Sequence, residues 1–268
     1  MNQFKRIFAL LLLVMGLFVA NAAGAVKAVK LNHDRMYGVD KYNGTTALQL
    51  TSSPGCGPSL CDLNDPYIQT GYWQIGSNFY KNRLAVSKFA THFTFRINGM
   101  GGYQLGYGGD GFAFVIQSVS PSALGAGGPA LGYGGQIESG ISVGGIPNSI
   151  AVEFDTYQNK SFNDPQFPHV ALDIEGDTVH NGLPVVEILS PSFNNGNIWD
   201  AWIDYDGTTL EVRLSQTNTR PIEAIIKTRI NIPKIINRRT AFIGFSGATG
   251  GYWQNQNILS WEYKSIYR

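Results

Sequence analysis

The sequence predicts an all-β protein built from two packed sheets. Three observations carry that expectation. Short segments that alternate apolar and polar residues, or are rich in β-branched and aromatic types, recur through the chain. Its 32 glycines and 12% aromatic residues are spread along it instead of gathered in one tract. No stretch of helical length shows an apolar period near 3.6 residues. Strands spaced in this way pack as a sandwich.

In chain order the strand-like segments are ALQLTSS (47–53), ATHFTFRI (90–97), GFAFVIQ (111–117), SIAVEFDTY (149–157), HVALDIEG (169–176), AWIDYDGTTLEVRLS (201–215) and AFIGFSG (241–247). Asp206-Gly207 divides one of them and predicts a hairpin turn. With 268 residues and 43% hydrophobic content, the chain can bury a sizeable core as a single domain. Its 20 basic and 19 acidic residues leave a formal charge of +1, which supplies no field for a phosphate backbone and argues against a nucleic-acid partner.

At the N-terminus, Lys5 and Arg6 precede an apolar run from Ile7 to Ala20, and small residues follow at Ala22, Ala23 and Ala25. This is the pattern of a secretory signal peptide over residues 1–25, with cleavage near Ala22 or Ala25 and a mature domain over 26–268. The run is shorter than the roughly 20 apolar residues of a membrane span. The expected destination is secreted, periplasmic or extracellular. In such a compartment Cys56 and Cys61, within SSPGCGPSLCD, are expected to close a small disulfide loop worth roughly 2 kcal/mol. Two thiols with no second pair and no neighbouring histidine make a poor zinc signal.

The most informative segment is VEFDTYQN (152–159), followed by Asp164-Pro165 and His169. If Glu153, Asp155 and Tyr157 share a strand, they point to one face, and Val152, Phe154 and Thr156 to the other. Carboxylates turned into a crowded site need a cation or hydrogen bonds to offset their desolvation. Asp155, Asn159, Asp164 and a backbone carbonyl form an oxygen set suited to Ca2+. Glu153, Asp155, Asp164 and His169 form a mixed oxygen and nitrogen set suited to Mn2+ or a similar transition metal. A polar loop with one or two solvated carboxylates fits the same residues.

VEFDTYQN, the Asp164-Pro165 pair and the histidine five residues after Asp164 resemble the metal-binding segment of the legume-type (L-type) lectins, the family of concanavalin A and pea lectin. The resemblance extends to GGDGFAFVIQ (108–117), GAGGPALGYGG (125–135), WDAWIDYDGTTLEV (199–212) and GFSGATGGYWQNQNILSWEY (244–263). It therefore spans roughly residues 45 to 268 in the family's order. It implies the concanavalin A-like jelly-roll β-sandwich and a carbohydrate-binding protein without enzymatic activity. It also implies Glu153, Asp155, Asp164 and His169 as transition-metal ligands. Asp155, the Tyr157 carbonyl, Asn159 and Asp164 become the calcium ligands.

A sugar site needs an acceptor-only carboxylate, fixed N–H donors and an aromatic or apolar wall. Asp110 in GGDGF offers the carboxylate, although a glycine-flanked aspartate is also an ordinary turn residue. The resemblance implies that Asp110 is the main sugar acceptor, with a cis peptide at Gly109-Asp110. It further implies that Gly128 donates a backbone N–H, with Gly127 as the alternative because Pro129 and Ala130 alter the loop. Asn159 would hold calcium with its oxygen and the sugar with its amide. Tyr157 can stack on the ring, and Gly251 and Tyr252 fall at the contact positions of the last loop. Trp253 either joins them or packs beneath that loop.

A laminarinase-like glycoside hydrolase is the rival reading, since such sandwiches carry paired carboxylates in a Glu-x-Asp-x-x-Glu or Glu-x-Asp-x-Glu run. Here Tyr157 and Gln158 follow Asp155, and the third carboxylate is missing at both places. An adhesive sandwich without sugar binding is the other alternative. The expected partners are glycans, and a homodimer or tetramer through a sheet face is the assembly such sandwiches use. Asn43-Gly44-Thr45 and Asn159-Lys160-Ser161 fit the glycosylation acceptor pattern.

Overall fold

The computed structural model describes residues 27–28, 37–38, 41–42, 47–52, 71–102, 107–138, 141–166 and 168–266. Cys56, Cys61, the expected signal peptide and the Asn43 acceptor lie outside these residues. All strand pairs are antiparallel and fall mainly into two eight-stranded sheets. The back sheet runs Ile226–Arg229, Thr209–Ser215, Ile198–Tyr205, Phe89–Gly102, Tyr252–Ser265, Leu48–Thr51 and Lys41–Tyr42, with Lys27–Ala28 also on Tyr252–Ser265. The front sheet runs Val185–Glu187, His169–Ile174, Ser149–Asp155, Gly111–Gln117, Thr240–Ala248, Ile75–Phe79 and Tyr37–Gly38, with Leu84–Ala85 also on Thr240–Ala248. A small hairpin pairs Gln136–Glu138 with Ile141–Val143. The two-sheet expectation holds, and the one α-helix among the described residues is the single turn Ile232–Ile235, capped by the Asn231 side chain.

Alternation in the sequence becomes a two-sided core. Along Phe89–Ile97, Phe89, Phe93, Phe95 and Ile97 are buried, while Ala90, His92, Thr94 and Arg96 are partly exposed. Phe93 meets Phe154 at 5.7 Å and Phe245 at 5.0 Å, both edge-on, across the space between the sheets. Phe112 stacks on Phe154 at 4.8 Å. Fully burying each such ring contributes about 1.5–3 kcal/mol. The hairpin at Asp206-Gly207 forms as expected: Asp206 Oδ1 accepts the amides of Thr208 and Thr209, both at 2.7 Å, and Gly207 takes a φ of 103°.

The front sheet is buried on its outer side as well. A glycine-rich loop over 125–135 folds back on itself, with Gly125 N donating to Gly132 O at 2.7 Å and Ala126 N to Gly134 O at 2.8 Å. Tyr133 from this loop packs with Phe79, Ala113, Val115 and Ala151. Its hydroxyl accepts from Ser149 Oγ and the Gly176 amide, at 2.9 and 3.1 Å. This covers one stretch of the outer face with apolar groups. Farther along the same strands, that face carries charge.

Candidate functional site

Strand geometry gathers the charged end. Asp155 is the last residue of its strand and pairs with His169, the first residue of the next, while Glu153 lies opposite Ala171 and Ala113. Period two turns Glu153, Asp155, His169 and Asp173 to the outer face and leaves Val152 and Phe154 in the core. The strand stops at Asp155, so Tyr157 is placed by a bend and not by the pleat. Thr156 does not serve the apolar side either. Its hydroxyl donates to Asp110 O at 2.7 Å and accepts from Gln254 Nε2 at 2.7 Å, because the chain has already turned toward the neighbouring loops.

The segment 156–168 folds over this end and brings Asp164 back. Asp164 divides its oxygens: Oδ2 accepts the Asn159 amide at 2.6 Å, and Oδ1 lies 3.4 Å from His180 Nε2. Asp155 Oδ1 accepts the Tyr157 amide at 2.7 Å. Glu153 Oε1 faces two imidazoles, His169 Nε2 at 3.2 Å and His180 Nε2 at 2.9 Å. The ligating atoms of Glu153, His169 and His180 lie within 4.8 Å of one another, as do those of Asp155, Asp164 and His169.

Asp110 sits beside this cluster at the start of the adjacent strand, after a cis Gly109-Asp110 peptide. Its amide donates to Ala248 O at 3.0 Å and its carbonyl accepts the Thr156 amide at 2.8 Å, so the backbone is held from both sides. A Cβ on Gly111 would lie 2.3 Å from Phe154 O, which explains why glycine follows Asp110 in so tight an approach. The Tyr157 ring stacks on Tyr252 at 4.9 Å, and Tyr107 leans on Tyr252 at 5.9 Å. Gly109 is wedged against both rings, since a Cβ there would meet Tyr157 and Tyr252 at 3.3 and 3.4 Å. Next to them a groove of about 510 Å³ opens between Gly108, Tyr157, Gln158, Gln166 and Asn194.

Residues 41–268 match the legume lectin domain. The chain belongs to the legume lectin family. Among similar proteins, the L-type lectin-domain containing receptor kinase VIII.1 of Arabidopsis thaliana is 31% identical over 84% of this chain and 33% of its own length. The probable receptor kinase VII.2 of the same plant is 29% identical over 78% of this chain and 31% of its own. The chain thus spans about a third of these curated relatives. The fold is that of the Bauhinia forficata lectin in complex with GalNAc, at a TM-score of 0.65 and 22% identity, covering 86% of this chain and 91% of that one. It is equally similar to lectin UEA-II complexed with galactose, at a TM-score of 0.65 and 23% identity, covering 90% and 97%.

Legume lectin folds generally bind metal ions, and the charged end of this lectin domain fits them on its own chemistry. Asp110 Oδ2, Asn159 Oδ1 and Asp173 Oδ2 are buried without a hydrogen-bond partner, and so is Nδ1 of both His169 and His180. An unpaired buried carboxylate oxygen is costly, and a cation is the group that would satisfy it. Without one, burial pushes the Asp110 carboxyl up to about 8, with Asp164 adding repulsion. Burial, then Asp164, Glu153 and Asp110, pushes Asp155 well above the usual carboxylate range. Asp164 rises to about 6, chiefly through burial. Burial also works against Glu153, yet hydrogen bonds from His169 and His180 hold it down at about 2.

The structure brings together Asp110, Glu153, Asp155, Tyr157, Asn159, Asp164, His169 and Tyr252. It turns the Gly128 amide to Thr249 O at 3.2 Å, so donation to a ligand requires exchanging that bond. Gly251 lies half-buried beside Tyr252 in the last loop, and Trp253 packs under it, fully buried and edge-on to Tyr72 at 4.6 Å. Four residues are new. His180 and Asp173 join the charged end, Tyr107 joins the tyrosines, and Trp73 stands 67% exposed beside Gly128. The signal available for His180 was that only four histidines exist and two lie within 12 residues, His169 and His180.

Proposed function

We propose that the protein is a secreted, non-enzymatic lectin that holds a monosaccharide reversibly at Asp110. In this reading Asp110 accepts from two sugar hydroxyls and Tyr157 and Tyr252 form the aromatic wall. The Asn159 side-chain amide and a backbone N–H from Gly128 or Gly127 donate, with Gly251 at a contact position. Asp155, Asn159, Asp164 and the Tyr157 carbonyl would hold calcium, and Glu153, Asp155, Asp164 and His169 a transition metal such as manganese. The metals supply positive charge that keeps these carboxylates ionised, and the chain's own residues bind and orient the sugar. The single observation that carries the reading is the pair of buried, unpartnered oxygens, Asp110 Oδ2 and Asn159 Oδ1, beside the stacked tyrosines.

Residues 1–25 would direct export, leaving a lectin domain over 26–268 with a Cys56–Cys61 loop, and sheet faces are the natural surfaces for a dimer or tetramer. Among the described residues no helix is long and apolar enough to cross a membrane. Galactose and GalNAc, named for two similar lectins, are the first ligands to try. A glycan array read with and without chelator, with products assayed, tests the whole. Reversible, chelator-sensitive binding without product supports a lectin. Released product would instead make it a hydrolase, and no binding to any glycan would leave an adhesive sandwich.

A further inference from the structure

His180 gives the charged end a second imidazole, outside the ligand set read from the sequence. Its backbone amide donates to Phe162 O at 2.9 Å, which fixes the residue over the site, and its side chain is 5% exposed. Its Nε2 lies 2.9 Å from Glu153 Oε1, 3.1 Å from His169 Nε2 and 3.4 Å from Asp164 Oδ1. Around one ion with bonds of about 2.0–2.2 Å, neighbouring ligand atoms sit roughly 2.8–3.1 Å apart in an octahedron and roughly 3.3–3.6 Å apart in a tetrahedron. The observed separations are edges of such a polyhedron. Two Nε2 atoms so close, with Glu153 Oε1 beside both, can turn their lone pairs together to one shared cation.

We infer that His180 is a direct ligand of the transition-metal site and that the resulting pair of imidazoles selects zinc over manganese. The inference rests on the metal-organised reading above. Its physical basis is donor softness: oxygen-rich sets suit manganese, whereas imidazoles favour zinc, nickel and copper. One histidine among carboxylates leaves the set oxygen-dominated. A second shifts it toward the later metals.

The experiment uses the full mature chain, stripped of metal and re-equilibrated with calcium and varied zinc and manganese, followed by elemental analysis. The zinc-to-manganese affinity ratio of His180→Ser should fall at least tenfold below that of wild type, with calcium uptake retained, while His92→Ser leaves the ratio unchanged. Copper loaded in place of zinc gives a second readout that needs no variant. Its paramagnetic resonance should count two coordinated imidazoles in wild type, and one in His180→Ser. A ratio unmoved by His180→Ser, or one imidazole in wild type, overturns the inference, and chelator-sensitive glycan binding in the same samples would leave the lectin reading standing. Wild type that takes up no transition metal at all defeats both.

Discussion

The two sheets share a strand pattern but bury different things. Along Phe89–Ile97 of the back sheet, every second residue faces the core and its neighbours are partly solvated. In the front sheet, all seven residues of both Gly111–Gln117 and Ser149–Asp155 are buried. Alternating residues there face either the same phenylalanine core or an outer layer, apolar around Tyr133 and ionic around Glu153 and Asp155. The back sheet leaves much of its polar side to water, and where it buries charge there, at Asp200 and Arg213, His92 and Glu211 sit beside it at 2.7 and 2.6 Å. The front sheet buries a cluster of acids, with Asp110 Oδ2 and Asp173 Oδ2 left unpartnered, and that charge must be compensated from within the protein or by a ligand.

The largest expected effect lies at the residue joining the two halves of the ionic patch. Asp164→Ala should remove both metals and all glycan binding although, in the proposed site, it touches no sugar. Elemental analysis beside glycan binding checks this, with Asp206→Ala on the back-sheet hairpin as control, and full metal content in Asp164→Ala would break the comparison. Next, Phe93→Ala should cost about 3–5 kcal/mol of fold stability by leaving a cavity between the sheets, measured by denaturant titration. Asp110→Asn should cost the metal-free fold little, since without metal burial already pushes that carboxyl up to about 8. It should nonetheless weaken glycan binding by roughly 1.5–3 kcal/mol, about tenfold to a hundredfold or more. Wild-type affinity in this variant would remove Asp110 from the site.

Without metal, acid should stabilise the front sheet and base should weaken it. Asp110, Asp155, Asp164 and Asp173 all have folded values raised, chiefly by burial. Raised carboxyls bind more protons folded than unfolded, so their contribution is present below the ordinary value of 3.8 and is lost as pH climbs through about 6 for Asp164 and about 8 for Asp110. Glu153 has the opposite sign, but only below its ordinary value of 4.5. The Tm of chelator-treated protein should therefore fall between roughly pH 4 and pH 8, and metals should abolish that fall. A flat profile without metal would mean that the carboxylates are compensated in another way. The smallest effect is expected from Trp73→Ala, a few-fold loss for oligosaccharides with monosaccharides unaffected, read by calorimetry.

Legibility in the sequence followed the same division. Alternation gave both sheets, and period two placed Glu153 and Asp155 outward with Val152 and Phe154 inward, because those are properties of one strand. The Asp206-Gly207 turn was readable for a similar reason, being local. His180 and Asp173 are not legible locally because their part in the site depends on strand pairing and on loop return. Asp173 reaches Glu153 through the register of His169–Ile174 against Ser149–Asp155. His180 arrives on a loop held to Phe162. Tyr157 and Thr156 depart from the alternation because the strand ends at Asp155 and the chain bends to meet Asp110. Trp253 left two readings open, and its contact with Tyr72 decides for packing.

The divided carboxylate of Asp164 has a thermodynamic consequence. One oxygen faces the Asn159 side and the other the histidine side. In the proposed two-metal site, a carboxylate oriented and ionised by a cation on one side would be prepared for a cation on the other, so each ion would lower the cost of admitting its neighbour. Reciprocity would then require calcium to raise the affinity for the transition metal by the same factor that the transition metal raises the affinity for calcium. A sugar that prefers the doubly loaded form would, in turn, raise the affinity for both ions.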